Sequence, residues 1–269
     1  MSLMKRVDQA RQGYRRGDRA AASAAHDPDR IARAAQEEHG GAGDQYLGDL
    51  VYGGLDGVVT TFAVVSGVVG ASLGSEVILI LGLANLLADG FSMASGAYLS
   101  TKSGQEVYRR EEERERWEVE HFPDGERAEL LEVYLQRGFT RDEAGQLVEI
   151  HSRQPDRWVI AMMVDELRML PDERKPMTSA GATLAAFVLA GSLPLVAYVA
   201  GLFIPIPPPS AFAASIVLAG VALFGLGAAK VFVTQRSPIR SGLEMLAVGS
   251  LAGAVAYVVG AFLKGVAGS

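Results

Sequence analysis

The segment EEERERWE, residues 111–118, lies at the centre of the stretch that decides the fold. From residue 102 to residue 175 the chain is dense in charge and has no apolar run long enough to cross a bilayer. Five flanking runs are long enough, since each matches the roughly 20 residues that span hydrocarbon: 46–73, 77–100, 178–203, 210–234 and 242–263. The sequence therefore predicts an all-α membrane protein with five transmembrane helices. A three-helix acidic domain is inserted between spans two and three.

Composition supports a membrane protein and narrows its chemistry. The 269 residues are 49% hydrophobic, and the mean hydropathy of +0.19 averages nearly charge-free runs with two charged regions. Glycine is concentrated in the apolar runs, as expected where helices pack closely in lipid. The chain has no cysteine, so a metal would need carboxylate, Met, His or water ligands. The net charge of −6, without a basic patch bearing aromatics, argues against nucleic acid as a partner.

The distribution of charge predicts the domain order and the topology. We expect a flexible cytoplasmic tail over 1–45, spans over 46–101, a metal-binding domain over 102–176 and spans over 177–269. The loops at 70–76 and 204–210 lack Lys and Arg, whereas the tail, the charged domain and residues 235–240 hold nearly all of them. By the positive-inside rule, the N-terminus and the charged domain are cytoplasmic. Because no presequence is evident, we expect the plasma (inner) membrane of a prokaryote rather than a vacuole.

Two of the apolar runs carry polar residues that predict a transport pathway. Asp56 lies within the first run, where an aspartate in lipid costs about 2.5–3.5 kcal/mol and marks a functional site by default. The alternative is a position near the membrane surface. In the second run, Asn85, Asp89 and Met93 are four residues apart and share one helix face. A carboxylate, an amide oxygen and a thioether suit a borderline transition metal, although Met93 alone is typical of packing.

The charged domain carries a second set of candidate ligands. Glu115 and Glu118 share one helix face with Glu111, and further glutamates recur every three residues from Glu126. A last helix is predicted over 156–170. Such charge runs are usually solvated faces, held by pairs with arginines such as Arg114. Together these patterns give seven candidate metal ligands in the domain: Glu115, Glu118, Glu126, Glu129, Met162, Met163 and Glu166.

From residue 46 to its end, the sequence resembles the vacuolar iron transporter family. The resemblance rests on Asp56-Gly in the first span and on Ser92-Met93 with Gly96-x-Tyr98-Leu99 at the end of the second. It rests also on Lys102-Ser103 leading into a Glu-rich helix, on the acidic insert with its paired methionines, and on the five spans. Residues 1–45 lie outside it.

The resemblance implies a homodimer that moves Fe²⁺, and often Mn²⁺, out of the cytosol in exchange for protons. It implies that Asp56 and Met93 contact the metal in a pathway at the dimer interface, and that the insert collects metal through the seven ligands named above. Well-known members carry Glu where this sequence has Asn85. Asp89, one turn further along the same face, is the candidate replacement for that carboxylate.

Two other classes of function stay open at this point. One is a membrane-anchored metal buffer or sensor, in which the insert binds metal and the spans only anchor it. The other is a di-iron oxidase, suggested by Glu118-x-x-His121, but a ferritin-like site needs two such motifs and the sequence supplies one. We expect no enzymatic activity and no prosthetic group, with metal ions, protons and the lipid bilayer as the partners.

Overall fold

A computed structural model of the chain describes residues 3–29, 31, 42–230 and 237–267. Every regular element in this part of the chain is helical, which confirms the all-α prediction. Five helices are long and apolar enough to cross a membrane, spanning Gln45–Gly70, Ser75–His121, Pro176–Ala200, Pro208–Ala229 and Pro238–Val266. The prediction of five transmembrane helices is therefore confirmed, and the chain is an integral multi-pass membrane protein.

The N-terminal region contains two short helices, α1 (Leu3–Arg16) and α2 (Arg19–Ala25), which pack against each other. Gly17 adopts φ +65° between them, and the Asp18 carboxylate caps α2 by accepting a hydrogen bond from the Ala21 N–H at 3.0 Å. The tail predicted to be flexible over residues 1–45 contains these two helices, and its residues 1, 2, 30 and 32–41 lie outside the described residues. Residues 235 and 236 of the basic loop used for the topology lie outside them as well.

The first span, α3 (Ala42–Gly70), lies at the centre of the membrane bundle and packs against all four other spans. These are α4 (Ser75–His121), α8 (Pro176–Gly191), α10 (Pro208–Ala229) and α11 (Pro238–Ala267). The short helix α9 (Val196–Ala200) completes the span that begins with α8. The approach of α3 to α8 is very close, since a Cβ atom at Gly57 would lie 2.3 Å from the Phe187 carbonyl oxygen. Only glycine permits that backbone contact, which fixes the position of the neighbouring Asp56.

The second span continues without a break into the charged insert, which we define as residues 102–176. The helix α4 contains 47 residues, so it is about 70 Å long at 1.5 Å per residue. No proline interrupts it, and its sequence changes from apolar to charged at about residue 102. This confirms the prediction that span two runs directly into the insert.

The rest of the insert consists of α5 (Pro123–Gln136), α6 (Arg141–Ser152) and α7 (Pro155–Ala161), followed by a π-helical turn at Met162–Glu166. Thr140 and Glu143 form a capping box at the start of α6, as the sequence pattern predicts. The prediction of one helix over 156–170 is wrong in its second half. The Leu167 N–H bonds to the Met162 carbonyl at 3.1 Å, which widens the turn, and Arg168 has φ +56° and ends the helix.

The segment that returns from the insert is tied to the spans by polar contacts. The Arg174 side chain lies 3.6 Å from the Asp49 carboxylate on α3, and the Ser179 hydroxyl on α8 donates to the same carboxylate at 2.5 Å. The Gln105 amide on α4 donates to the carbonyls of Asp172 and Arg174 at 2.9 and 2.6 Å. These contacts hold the insert against the end of the membrane bundle.

Candidate metal sites

Three glutamates of the insert converge on one point and form what we call the acidic cluster. Glu115 and Glu118 lie one turn apart on α4, and Glu126 lies in the first turns of α5. A carboxylate oxygen from each lies within 4.8 Å of the other two. The chain reverses at Phe122 and Pro123, which folds α5 back onto α4 and brings Glu126 to its partners. Three oxygens at this spacing match the donor set that a divalent cation prefers.

Two members of the acidic cluster, Glu115 and Glu126, are buried, whereas Glu118 is half-buried. Burial raises the pKa of Glu115 to about 7 and that of Glu126 to about 8, and the surrounding carboxylates add to both shifts. Glu126 is only 4% exposed, and its Oε2 atom has no hydrogen-bond partner among the described residues. A buried carboxylate oxygen without a donor is costly, so this atom points to a ligand that the protein alone does not supply.

Two further predicted ligands adjoin the acidic cluster. Burial raises the pKa of Glu166, and its carboxylate is close enough to those of Glu129 and Glu118 for their charges to interact. The Oε2 atom of Glu166 is also buried without a partner in the described part of the chain. Glu166 is the last residue of the π-helical turn, a feature that often occurs at functional sites. Five of the seven predicted ligands therefore surround one volume.

The two methionines occupy a different environment. Met162 and Met163 are both fully buried, and they belong to the hydrophobic cluster at the centre of the insert, together with residues such as Leu130 and Trp158. They lie in the same π-helical turn as Glu166. Packing accounts for their burial, so their role as thioether ligands stays a prediction.

The Glu118-x-x-His121 pattern does not assemble into a site. The His121 side chain is exposed, stacks on Trp117 with ring centroids 4.6 Å apart, and contacts the Trp117 carbonyl through Nδ1 at 2.8 Å. These contacts hold the imidazole outside the acidic cluster. The di-iron interpretation therefore gains no histidine ligand there.

Arg114 contacts the acidic cluster, whereas the sequence predicts for it only pairing with glutamates along a solvated helix face. Arg114 forms ion pairs with Glu111, Glu115 and Glu118 at 3.0, 2.5 and 2.5 Å. In the sequence, glutamates stand three residues before Arg114 and one and four residues after it. None of the other three arginines of this helix has glutamates at all three positions.

The predicted pathway residues lie at the surface of the bundle. Asn85, Asp89 and Met93, which we call the membrane stripe, are all half-buried, and they separate buried positions such as Gly90 from exposed ones such as Phe91. The Asp56 carboxylate on α3 is near enough to Asp89 for their charges to repel each other. The Nδ2 atom of Asn85 is buried without a partner among the described residues. The structure thus brings Asp56 to the stripe.

The fold and these two groups of carboxylates define a class, a multi-pass helical membrane protein with an acidic cluster in an insert that continues from its second span. The chain belongs to the VIT family, whose model matches residues 47–261.

Several relatives are similar over most of the chain. A protein named vacuolar iron transporter from Toxoplasma gondii is 36% identical, with 98% of this chain and 90% of the relative covered. Vacuolar iron transporter 1 from Arabidopsis thaliana is 35% identical over 82% of this chain and 87% of the relative. A vacuolar iron transporter from Plasmodium falciparum is 31% identical over 97% of this chain and 98% of the relative. The resemblance seen in the sequence is confirmed.

Proposed function

We propose that this protein transports Fe²⁺, and Mn²⁺ as a second substrate, out of the cytosol in exchange for protons. The relatives named iron transporters support a metal substrate. The observation that carries the proposal is the continuity of α4. One unbroken helix bears the membrane stripe and, about 33 Å further along, the glutamates of the acidic cluster.

In this proposal the insert captures the cargo. The metal ion is held by Glu115, Glu118 and Glu126, with Glu129 and Glu166 beside them and the thioethers of Met162 and Met163 as softer donors. Carboxylates bind metal only when deprotonated, so cargo binding releases the protons that burial retains on Glu115 and Glu126. The insert thereby raises the metal concentration at the entrance to the spans.

The pathway through the membrane runs along Asp56, Asn85, Asp89 and Met93. Protons arriving from the opposite side compete with the metal for the two aspartates, and this competition couples the two fluxes. Asp89 supplies the carboxylate that Asn85 cannot.

We propose further that the protein acts as a homodimer. Asp89 is half-exposed on the surface of a single protomer, between apolar residues. An aspartate facing lipid costs about 2.5–3.5 kcal/mol, so this surface requires a polar cover. A second copy placed against the stripe supplies it and lines the pathway from both sides.

For the topology, the charge of the loops supports a cytoplasmic insert and N-terminus. The relatives are named vacuolar iron transporters, and the prokaryotic plasma membrane stays a prediction for this chain.

The decisive experiment measures anaerobic Fe²⁺ flux into liposomes that contain the purified protein, with and without a pH gradient, and with Mn²⁺ in parallel. We expect flux that rises with the gradient. Met93→Leu should reduce it, whereas Met245→Leu on α11, a span outside the stripe, serves as the matched control. Tight metal binding without any flux would instead favour the membrane-anchored buffer or sensor.

A further inference from the structure

Arg114 occupies an unusual position between three carboxylates. Its Nε atom lies 3.0 Å from Glu111, while its Nη2 and Nη1 atoms each lie 2.5 Å from a carboxylate oxygen, of Glu115 and Glu118 respectively. All three guanidinium nitrogens are therefore engaged at once. Two of the three partners are members of the acidic cluster.

The arginine neutralises only part of that cluster. Arg114 counteracts the negative charge around Glu115, whereas the charges that act on Glu126 all come from other carboxylates. The buried Oε2 atom of Glu126 also lacks a partner in the described part of the chain. The cluster thus holds one cation, the guanidinium, at one side and offers one unpaired buried oxygen at the other.

A divalent ion at the cluster would share Glu115 and Glu118 with the guanidinium, which already contacts one oxygen of each. Two cations crowded onto Glu115 and Glu118 repel each other, and in a buried site this repulsion is weakly screened. Metal and arginine therefore compete for these two glutamates.

The geometry allows the arginine to leave. The Arg114 side chain is 44% exposed, while that of Glu115 is 2% exposed and stays in place. Glu111 lies one turn before Arg114 on the same helix, and it still provides a partner when the guanidinium withdraws from the other two.

We propose that Arg114 is a tethered counter-ion, which competes with the metal cargo for Glu115 and Glu118 and so keeps the affinity of the insert low enough for release. The proposal rests on the metal-binding function proposed above for the insert. It makes Arg114 an affinity-setting residue rather than a ligand, and it gives the metal-free cluster its charge balance.

The test uses the full chain in detergent and Mn²⁺ as the probe, followed by titration calorimetry. Arg114→Gln should tighten Mn²⁺ binding by about tenfold, the scale of changes around metal ligands. The matched control is Arg116→Gln, which removes the same charge two residues away. Arg116 is 49% exposed and pairs with Asp156 and Glu112, outside the cluster, so its loss should leave the affinity unchanged within roughly twofold.

A conservative variant supplies the second arm. Arg114→Lys retains the charge but loses the fork that engages several carboxylates, so its Mn²⁺ affinity should fall between those of the wild type and Arg114→Gln. It carries the test alone if Arg114→Gln does not fold. Thermal unfolding adds a further readout. Without metal, Arg114→Gln should unfold at a lower temperature than Arg116→Gln, and Mn²⁺ should raise its Tm by more than that of the wild type.

Different outcomes distinguish a failure of the counter-ion proposal from a failure of the proposed metal binding by the insert. If Glu126→Gln weakens Mn²⁺ binding but neither Arg114 variant tightens it, the arginine only supports the carboxylates and the counter-ion proposal is overturned. If neither the wild type nor the Arg114 variants bind Mn²⁺, the insert is not a metal site and both proposals fall.

Discussion

The acidic cluster and the membrane stripe, which both include residues of α4, differ in how completely one protomer encloses them. The acidic cluster is closed within the insert, where two helices supply three oxygens within 4.8 Å of one another and Arg114 supplies a counter-charge. The membrane stripe lies at the edge of the protomer, and the charge that acts on the carboxylate of Asp56 is the negative charge of Asp89. The oxygens of the cluster are thus brought together within one protomer, whereas the stripe is open on one side.

This difference fits the two functions that we propose along a single helix. A closed, buried cluster suits capture, because its walls fix the ligands before the ion arrives. An open stripe suits passage, because an ion there is bound weakly enough to move on once a second surface completes the path. Changes in the stripe should therefore affect flux without affecting capture, and changes in the cluster should do the reverse.

The largest effect is expected for Asp56→Asn. Removing a charged group from the proposed pathway should lower Fe²⁺ flux into liposomes by at least about tenfold, since changes even in the shell around metal ligands cost that much. Mn²⁺ binding to the same protein, measured by calorimetry, should be unchanged because the acidic cluster is intact. Asp142→Asn, an exposed position in the first turn of α6, is the matched control. Flux equal to that of the wild type would remove Asp56 from the pathway.

Helical periodicity and the absence of proline were enough to predict the long helix and the shared face of two of the three members of the acidic cluster. The absence of proline between residues 77 and 121 predicted the unbroken α4, and helical periodicity placed Glu115 and Glu118 on one face. Local rules suffice there because both features depend only on neighbours along one helix. These two residues meet Glu126 only because α5 packs back against α4 after the reversal at Phe122 and Pro123. That packing is a tertiary contact.

Other features of the insert were out of reach for such rules. The π-helical turn at Met162–Glu166 has no simple sequence signature, so the segment was predicted as a regular helix. The depth of Met162 and Met163 in the hydrophobic cluster depends on how four helical segments pack. The glutamates around Arg114 are visible in the sequence, but only the structure shows that the guanidinium contacts Glu115 and Glu118 at the same time.

The second prediction concerns capture alone. Glu126→Gln keeps the shape of the side chain but removes the carboxyl group that would ionise to bind metal, so Mn²⁺ binding should weaken by about tenfold. Fe²⁺ flux at saturating metal should change much less, because the stripe is untouched. Glu132→Gln is the matched control, since Glu132 is exposed on the same helix and lies outside the cluster. A parallel loss of binding and flux would show that capture and passage are not separable.

The third prediction tests which residue of the stripe supplies its carboxylate. Asp89→Asn should lower Fe²⁺ flux severalfold, and adding Asn85→Glu one turn away on the same face should restore part of it. The Asn85→Glu change alone serves as the reference for any effect of added charge. If the double variant is no better than Asp89→Asn, the two positions are not interchangeable.

The smallest effect is a pH dependence of stability that belongs to the cluster alone. The pKa values of Glu115 and Glu126 are about 7 and about 8 in the folded protein, above the ordinary value of 4.5. The folded chain therefore keeps protons that the unfolded chain has lost, and stability falls as the pH rises from about 4.5 to about 8. Without metal, the Tm should drop by a few degrees over this range.

Glu126→Gln should reduce that drop, because glutamine has no proton to lose, while Glu132→Gln should retain it in full. At pH 8 the Tm of metal-free Glu126→Gln should exceed that of the wild type, and at pH 5 the two should coincide. Mn²⁺ should reverse the order at pH 8, since it stabilises the ionised cluster of the wild type more strongly. If replacing Glu126 raises the stability without metal and lowers it with metal, the residue is retained for binding rather than for stability. An equal pH dependence in all three proteins would mean that the cluster carries its charges without cost, and the contrast with the stripe would lose its basis.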